Sequence, residues 1–299
     1  MTRRFLWFEP HTLWGMVRER TAHALQCGAM QPLPTSYEIV EDTGVRFIIR
    51  LLRSLTAKAQ AHATQPRSNP FLPYDENLFV ADISDTHLCL LNKFNVMDYH
   101  LLIVTRAFEE QETLLTVQDF EAWLACLGEM DGLGFYNGGQ EAGASQRHKH
   151  LQVVPLPLAP EGPSIPIEPL LASAQYKGPI GTAPGLPWLH AIARMDSTWT
   201  AQPANGAHQA LQTYYALLRA VGMLEGVPDP GQRQRRPYNV LLTRKWMWLV
   251  PRSQECVDSI SVNALGFAGA LLVNNERQMA LIKERKPMTV LKLVSLSAL

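Results

Sequence analysis

Two histidines and a glutamine at alternating positions, His148, His150 and Gln152, are the residues of this 299-residue chain whose types and spacing could do chemistry together. In an extended strand such residues share one face at intervals of roughly 6.5–7 Å, so all three could meet one ligand. The imidazoles have three possible roles. They could ligate zinc, although such a site needs further protein ligands, and no Cys or acidic residue stands at a suggestive spacing nearby. They could be half-buried core histidines bonded to backbone. Or one could be a nucleophile: a neutral ring nitrogen attacks phosphorus at physiological pH, and the resulting phosphoramidate passes its group onward. The residues just before them, Gly143, Ala144, Ser145 and Gln146, suit a phosphate. Small side chains let backbone N–H groups approach an anion, and Ser145 and Gln146 add side-chain donors. Gln152 cannot titrate, so it could hold a phosphoryl oxygen without acting as acid or base.

These residues need a strand beneath them and a loop before them. "HKHLQVVPLP", from His148, predicts a strand stopped by Pro155 and Pro157, entered from the turn-prone "GGQEAGASQ". "GFYN", ending at Asn137, predicts another strand, and "HLCLLNKF" and "DYHLLIVT" predict an antiparallel pair. Thr116 can cap a helix with Asp119 three residues on, its apolar stripe being Val117, Phe120, Trp123, Leu124, Leu127 and Met130. Further helices are expected over Pro10 to Cys27, within "GAHQALQTYYALLRAVGML" and over Glu276 to Arg285. "RFIIRLLRSLTAK" fits strand or helix, and "YNVLLTRKWMWLVPR" predicts a hairpin turning near Arg244 and Lys245. Pro155 to Pro187 is dense in Pro, Gly and Ala and reads as an irregular connection. A division into residues 1–160 and 161–299 is therefore expected, with one compact domain as the alternative.

The chain is 46% hydrophobic and carries 27 Lys and Arg against 27 Asp and Glu, so no global field draws it to nucleic acid or anionic lipid. Any anion must be met by a local basic site. Four scattered cysteines without a C-x-x-C argue against a disulfide framework or a Cys-rich zinc site. With no signal-like start and no apolar run of about 18 residues, a cytosolic, cytoplasmic protein free of membrane is expected.

"GASQRHKHLQ" resembles the signature of the diadenosine tetraphosphate (Ap4A) phosphorylases, or ATP adenylyltransferases, in the histidine-triad superfamily. "NPF" at Asn69, "LLNKF" at Leu90, "HLLIVTRAFEEQ" at His100, "FYNGG" at Phe135 and "YNVLLTRKWMWLVPR" at Tyr238 fall in that family's order. The resemblance implies an α+β fold of galactose-1-phosphate-uridylyltransferase-like type, with a central, mainly antiparallel sheet flanked by helices. It implies that His150 attacks the α-phosphorus of the dinucleotide, releases ATP and holds AMP until inorganic phosphate takes it to give ADP, a reversible sequence. Gln152 would stabilise the intermediate and His148 would support the nucleophile. Gly143, Ala144, Ser145, Gln146 and Asn137 would hold phosphates, and Asn92, Lys93 and Lys58 would bind substrate. "SVNALGFAGALLVNN" resembles the family's substrate loop, giving Asn263, Ala264, Leu265, Ala270 and Asn274 as further candidates. Ala264 and Leu265 replace polar residues there, and Asn274 replaces a lysine, which bears on contacts to the distal phosphates. No tightly bound cofactor or metal is expected; Mg2+ would accompany the polyphosphate.

The rivals differ in detail. A hexose-1-phosphate uridylyltransferase usually has proline where Lys149 stands, and a histidine-triad hydrolase usually has a third histidine where Gln152 stands. A nucleotide-binding protein without catalysis would have no need of all three residues.

Overall fold

Apolar runs punctuated by glycine and proline become strands, and ten of these hydrogen-bond into one sheet. The computed structural model describes residues 7–53 and 69–298. In chain order the strands are β1 (Thr35–Asp42), β2 (Val45–Leu52), β3 (Phe79–Asp82), β4 (His87–Leu91), β5 (Leu101–Thr105), β6 (Gly132–Gly138), β7 (His150–Pro155), β8 (Gln175–Lys177), β9 (Ile180–Thr182), β10 (Ala191–Arg194), β11 (Tyr238–Leu242), β12 (Trp246–Pro251), β13 (Cys256–Val257), β14 (Ile260–Ser261) and β15 (Ala270–Val273). The helices are α1 (Leu13–Gln26), α2 (Val117–Glu129), α3 (Glu168–Ala172), α4 (Thr198–Ala201), α5 (Pro203–Ala220), α6 (Ala264–Ala268), α7 (Glu276–Arg285) and α8 (Pro287–Val294).

The large sheet runs β3-β4-β5-β7-β6-β11-β12-β10-β9-β8, antiparallel throughout. A smaller sheet, β1-β2-β15, contains one parallel pairing, β15 on β2. The α+β expectation, a central antiparallel sheet flanked by helices, is met.

Alternation along β7 sorts the two faces. Leu151 and Val153 point back into a core shared with Phe120 and Trp123 of α2 and Tyr214 and Leu217 of α5. Val154 points forward into a second core, where Phe47 of β2 and Phe267 of α6 meet Phe135 and Trp248. His150 and Gln152 share that front face with Val154. Helix α2 begins as its residues dictate: the Asp119 amide donates to Thr116 Oγ1, and Asp119 Oδ2 accepts from the Thr116 amide at 2.7 Å. From α2, Trp123 Nε1 donates to the carbonyl of Gln152 at 3.1 Å, which fixes the height of β7 over the helix.

Two expectations change. The strand starts at His150 and not at His148, because its partner β5 stops at Thr105; His148 pairs only as an isolated bridge with Glu110. The segment from Pro155 to Pro187 is not wholly irregular. It carries α3 and the short strands β8 and β9, which pair at the rim of the large sheet around Gly178. Strands of three residues give too short a pattern to stand out against Pro and Gly.

Candidate active site

His150 is held at three points. Its backbone N–H donates to Gln111 Oε1 at 2.9 Å, its carbonyl accepts from Gln111 Nε2 at 3.3 Å, and its Nδ1 lies 2.8 Å from the carbonyl oxygen of His148. A carbonyl can only accept, so Nδ1 carries the proton and Nε2 keeps its lone pair. Burial holds the His150 pKa down at about 4; the carbonyl bond opposes this and the His148 ring adds to it. The ring is therefore neutral near pH 7, with one defined nitrogen free of any partner among the described residues.

Gln152 sits two residues on, and its orientation is set by a relay. Asn92 Oδ1 accepts from the Phe94 amide at 3.2 Å, so its Nδ2 donates to His100 Nδ1 at 3.1 Å. His100 Nε2 then donates to Gln152 Oε1 at 3.0 Å, leaving the Gln152 amide NH2 without a partner among the described residues. Burial also brings His100 to about 4, against the Gln152 bond, so the relay runs through a neutral ring. Asn92 thus reaches Gln152 indirectly. Its neighbour Lys93 is half-buried, with Nζ 5.7 Å from the Phe94 ring centre.

His148 is spoken for at both nitrogens. Nε2 donates to the carbonyl of Thr105 at 2.8 Å, and Nδ1 accepts from Asn69 Nδ2 at 2.8 Å, Asn69 being oriented by the Phe71 amide on its Oδ1. The Phe71 ring packs against both histidines, at 5.6 and 5.4 Å between centroids. With three of four imidazole nitrogens so engaged, the pair is a poor metal site, and among the described residues no three of His, Cys, Asp or Glu converge on a point that could hold an ion. The residue between them points backward: Lys149, fully buried, donates to Asp119 at 3.1 Å, Glu109 at 3.0 Å and the Leu114 carbonyl at 3.3 Å.

The loop from Gly139 to Gln146 works differently from its residue types. The amides of Gly143 and Ala144 are used within the loop, bonding the carbonyls of Gln140 and Gly139. Among the described residues nothing bonds the amides or side chains of Ser145 and Gln146, and these remain for an anion. Gly143 is required by space: at φ +89° an added Cβ would sit 2.8 Å from the Cβ of Asn263. That contact joins the loop to the later segment, where Asn263 Oδ1 caps α6 by accepting from the Leu265 amide at 3.0 Å.

Asn137, on β6, binds the two regions together. Its Oδ1 accepts from Asn239 Nδ2 at 2.8 Å and from the Ala264 amide at 3.0 Å, so its own Nδ2 is the end left without a partner among the described residues. Ala264 and Leu265 place their side chains in the front core, and it is the Ala264 amide that serves the site. Ala270 and Asn274 lie on and just beyond β15 of the small sheet, and the Asn274 amide donates to Gln278 Oε1. Lys58 lies outside the described residues.

Asn69, His100, Gln111 and Asn239 were not singled out by type or spacing. For His100 a signal existed: it is a polar residue in register with Leu102 and Val104 on one face of an apolar strand.

A family model of the Ap4A phosphorylase N-terminal domain matches residues 3–173, and one of the ATP adenylyltransferase C-terminal domain matches residues 184–297. Diadenosine 5',5'''-P1,P4-tetraphosphate phosphorylase 2 of Saccharomyces cerevisiae is 27% identical over 277 residues, covering 81% of this chain and 80% of that protein. Protein APA1 of the same yeast is 24% identical, covering 92% and 91%. The crystal structure of yeast Ap4A phosphorylase Apa2 superposes with a TM-score of 0.79 at 22% identity, covering 97% of this chain and 99% of that one, and has the same fold. With both halves matched in order and the first model alone spanning more than half the sequence, the chain belongs to the Ap4A phosphorylase family.

Proposed function

We propose that the protein is an ATP adenylyltransferase that cleaves diadenosine tetraphosphate with inorganic phosphate to ATP and ADP, reversibly. The observation that carries this reading is the neutral His150 ring, its Nδ1–H tied to the His148 carbonyl and its Nε2 bare beside the non-titrating Gln152. Nε2 attacks the α-phosphorus; the N–P bond forms as the bond to the bridging oxygen breaks, and the electron pair leaves with ATP. The Gln152 amide and the donors of Ser145, Gln146 and Asn137 take up phosphoryl oxygens. Phosphate then attacks the same phosphorus from the solvent side, returns the electron pair to Nε2 and departs as ADP. Mg2+ bound to the polyphosphate would neutralise phosphate oxygens, a role that calls for no dedicated protein cage. A cytosolic setting is supported by the four cysteines, all present as free thiols, and among the described residues no helix is long and apolar enough to cross a membrane.

The test is a product assay with and without phosphate, using the protein and His150→Ala. ATP plus ADP, strictly dependent on phosphate, with labelled AMP trapped on the protein in its absence, is expected. Two ADP, or ATP plus AMP without phosphate, would mean a hydrolase instead. The substitution should reduce turnover roughly 10^4-fold or more; a fully active variant would overturn the covalent mechanism.

A further inference from the structure

Arg252, the last residue of the block that begins at Tyr238, is almost wholly buried, at 1% exposure, yet has no carboxylate within ion-pair distance among the described residues. Its guanidinium is held by neutral acceptors: Nε donates to the Val294 carbonyl at 3.0 Å, one terminal nitrogen to Asn239 Oδ1 at 2.7 Å and the Ala142 carbonyl at 3.3 Å, and the other to the Gln254 carbonyl at 2.9 Å. The nearest acid, Glu255, is occupied by the Ser261 hydroxyl at 2.6 Å. Burial lowers the Arg252 pKa to about 9, partly offset by Glu255, so the group stays charged at neutral pH. A buried cation with no ion-pair partner is costly even with the Phe267 ring 5.3 Å from it, and an apolar residue would fill the space more cheaply if packing were its only purpose.

What the charge does is visible in its partners. By occupying Asn239 Oδ1 it makes the other end of that amide the donor, and Asn239 Nδ2 gives its two protons to Asn137 Oδ1 and the Ala142 carbonyl. Asn137 Oδ1, thus taken, leaves Asn137 Nδ2 as the end without a partner among the described residues. The Ala142 carbonyl, gripped by both Arg252 and Asn239, anchors the loop one residue before Gly143. We propose that Arg252 is a positioning residue for the phosphate chain: through Asn239 it fixes the Asn137 amide as a donor to a phosphate oxygen. This rests on the reading of Asn137 as a polyphosphate contact.

The experiment is steady-state phosphorolysis of Ap4A by the full-length protein, with calorimetric titration of ATP as a binding readout that needs no turnover. Arg252→Met should lower kcat/KM and weaken ATP each roughly 10- to 100-fold, as for a lost hydrogen bond to a charged group, and Arg252→Lys should restore part of the loss. In an Asn137→Ala background the same Arg252→Met change should cost under about threefold, because its effect passes through Asn137. A folded Arg252→Met protein with unchanged kcat/KM and ATP affinity, or losses that simply multiply in the double variant, would overturn the proposal. Should Arg252→Met fail to fold, Asn239→Asp keeps an acceptor for Arg252 but offers no donor to Asn137. It is expected to show the same loss, and unchanged kinetics there would also overturn the proposal. Unmutated protein that makes no ATP and ADP refutes the functional reading instead, and the ATP titrations then still decide the role of Arg252.

Discussion

In water an imidazole is already mostly neutral at pH 7, so what the fold adds at His150 is the choice of bare nitrogen and a wider neutral range. With the His150 pKa near 4, the rate of adenylylation should stay level from neutral pH down to about 5 and fall only as pH approaches 4. Single-turnover trapping of AMP without phosphate measures this free of phosphate's own titration; an acid limb near 6.5 would contradict it. Stability runs in the same direction. Below 6.5 the unfolded chain protonates these imidazoles, while folded His150 and His100 remain neutral to about 4. The unfolded state thus binds more protons across that window, and stability falls with pH through it, by roughly 3 kcal/mol per imidazole once pH is below 4. Urea midpoints at pH 7, 5.5 and 4.5 check it, His100→Phe being expected to flatten the curve. At this scale the sequence revealed the acting residues by type, His148, His150 and Gln152. It hid those that act by orientation, Asn69 and Asn239, whose roles exist only once segments distant in sequence are adjacent.

Strand β7 is fastened on its rear by charge. Asp119 caps α2, accepts from His87 Nε2 at 3.0 Å and meets Lys149 at 3.1 Å, all three residues being buried. Burial alone would raise the Asp119 pKa; Lys149, then His87, override it and hold the carboxyl well below the usual range. Lys149→Met leaves that carboxylate with too little compensation, and a loss of about 3–5 kcal/mol in urea unfolding is expected. On the other side of the site, Gly143→Ala forces a positive φ on a side chain and drives its Cβ into Asn263. The expected result is a KM for Ap4A raised roughly tenfold or more with α2 and the sheet intact by circular dichroism, as the loss of a placed phosphate donor implies. Elements with a strong period or a cap, α2, α7 and the β11–β12 hairpin, were legible in the sequence. The Ala264 contact was not: the substitution of polar residues there concerned side chains, whereas the site uses the backbone amide, which every residue but proline supplies.

The large sheet passes without interruption from the first half of the sequence to the second, through β6 on β11, where Asn137 lies opposite Asn239. Heat or urea should therefore unfold the protein in one transition, with tryptophan fluorescence and nucleotide binding lost together. Two separated transitions would show that the halves are held only loosely. The same seam governs what a partial chain can do. A polypeptide still being synthesised, or one cut short before Tyr238, contains His150 and Gln152 but lacks Asn239, Arg252 and Ala264, and it leaves β6 with an unpaired edge. Such a product keeps the nucleophile and the donors of Asn137, Ser145 and Gln146 but lacks the partners that orient Asn137 and anchor the loop, so a chain ending before Tyr238 is expected to be a poor enzyme with an edge open to aggregation.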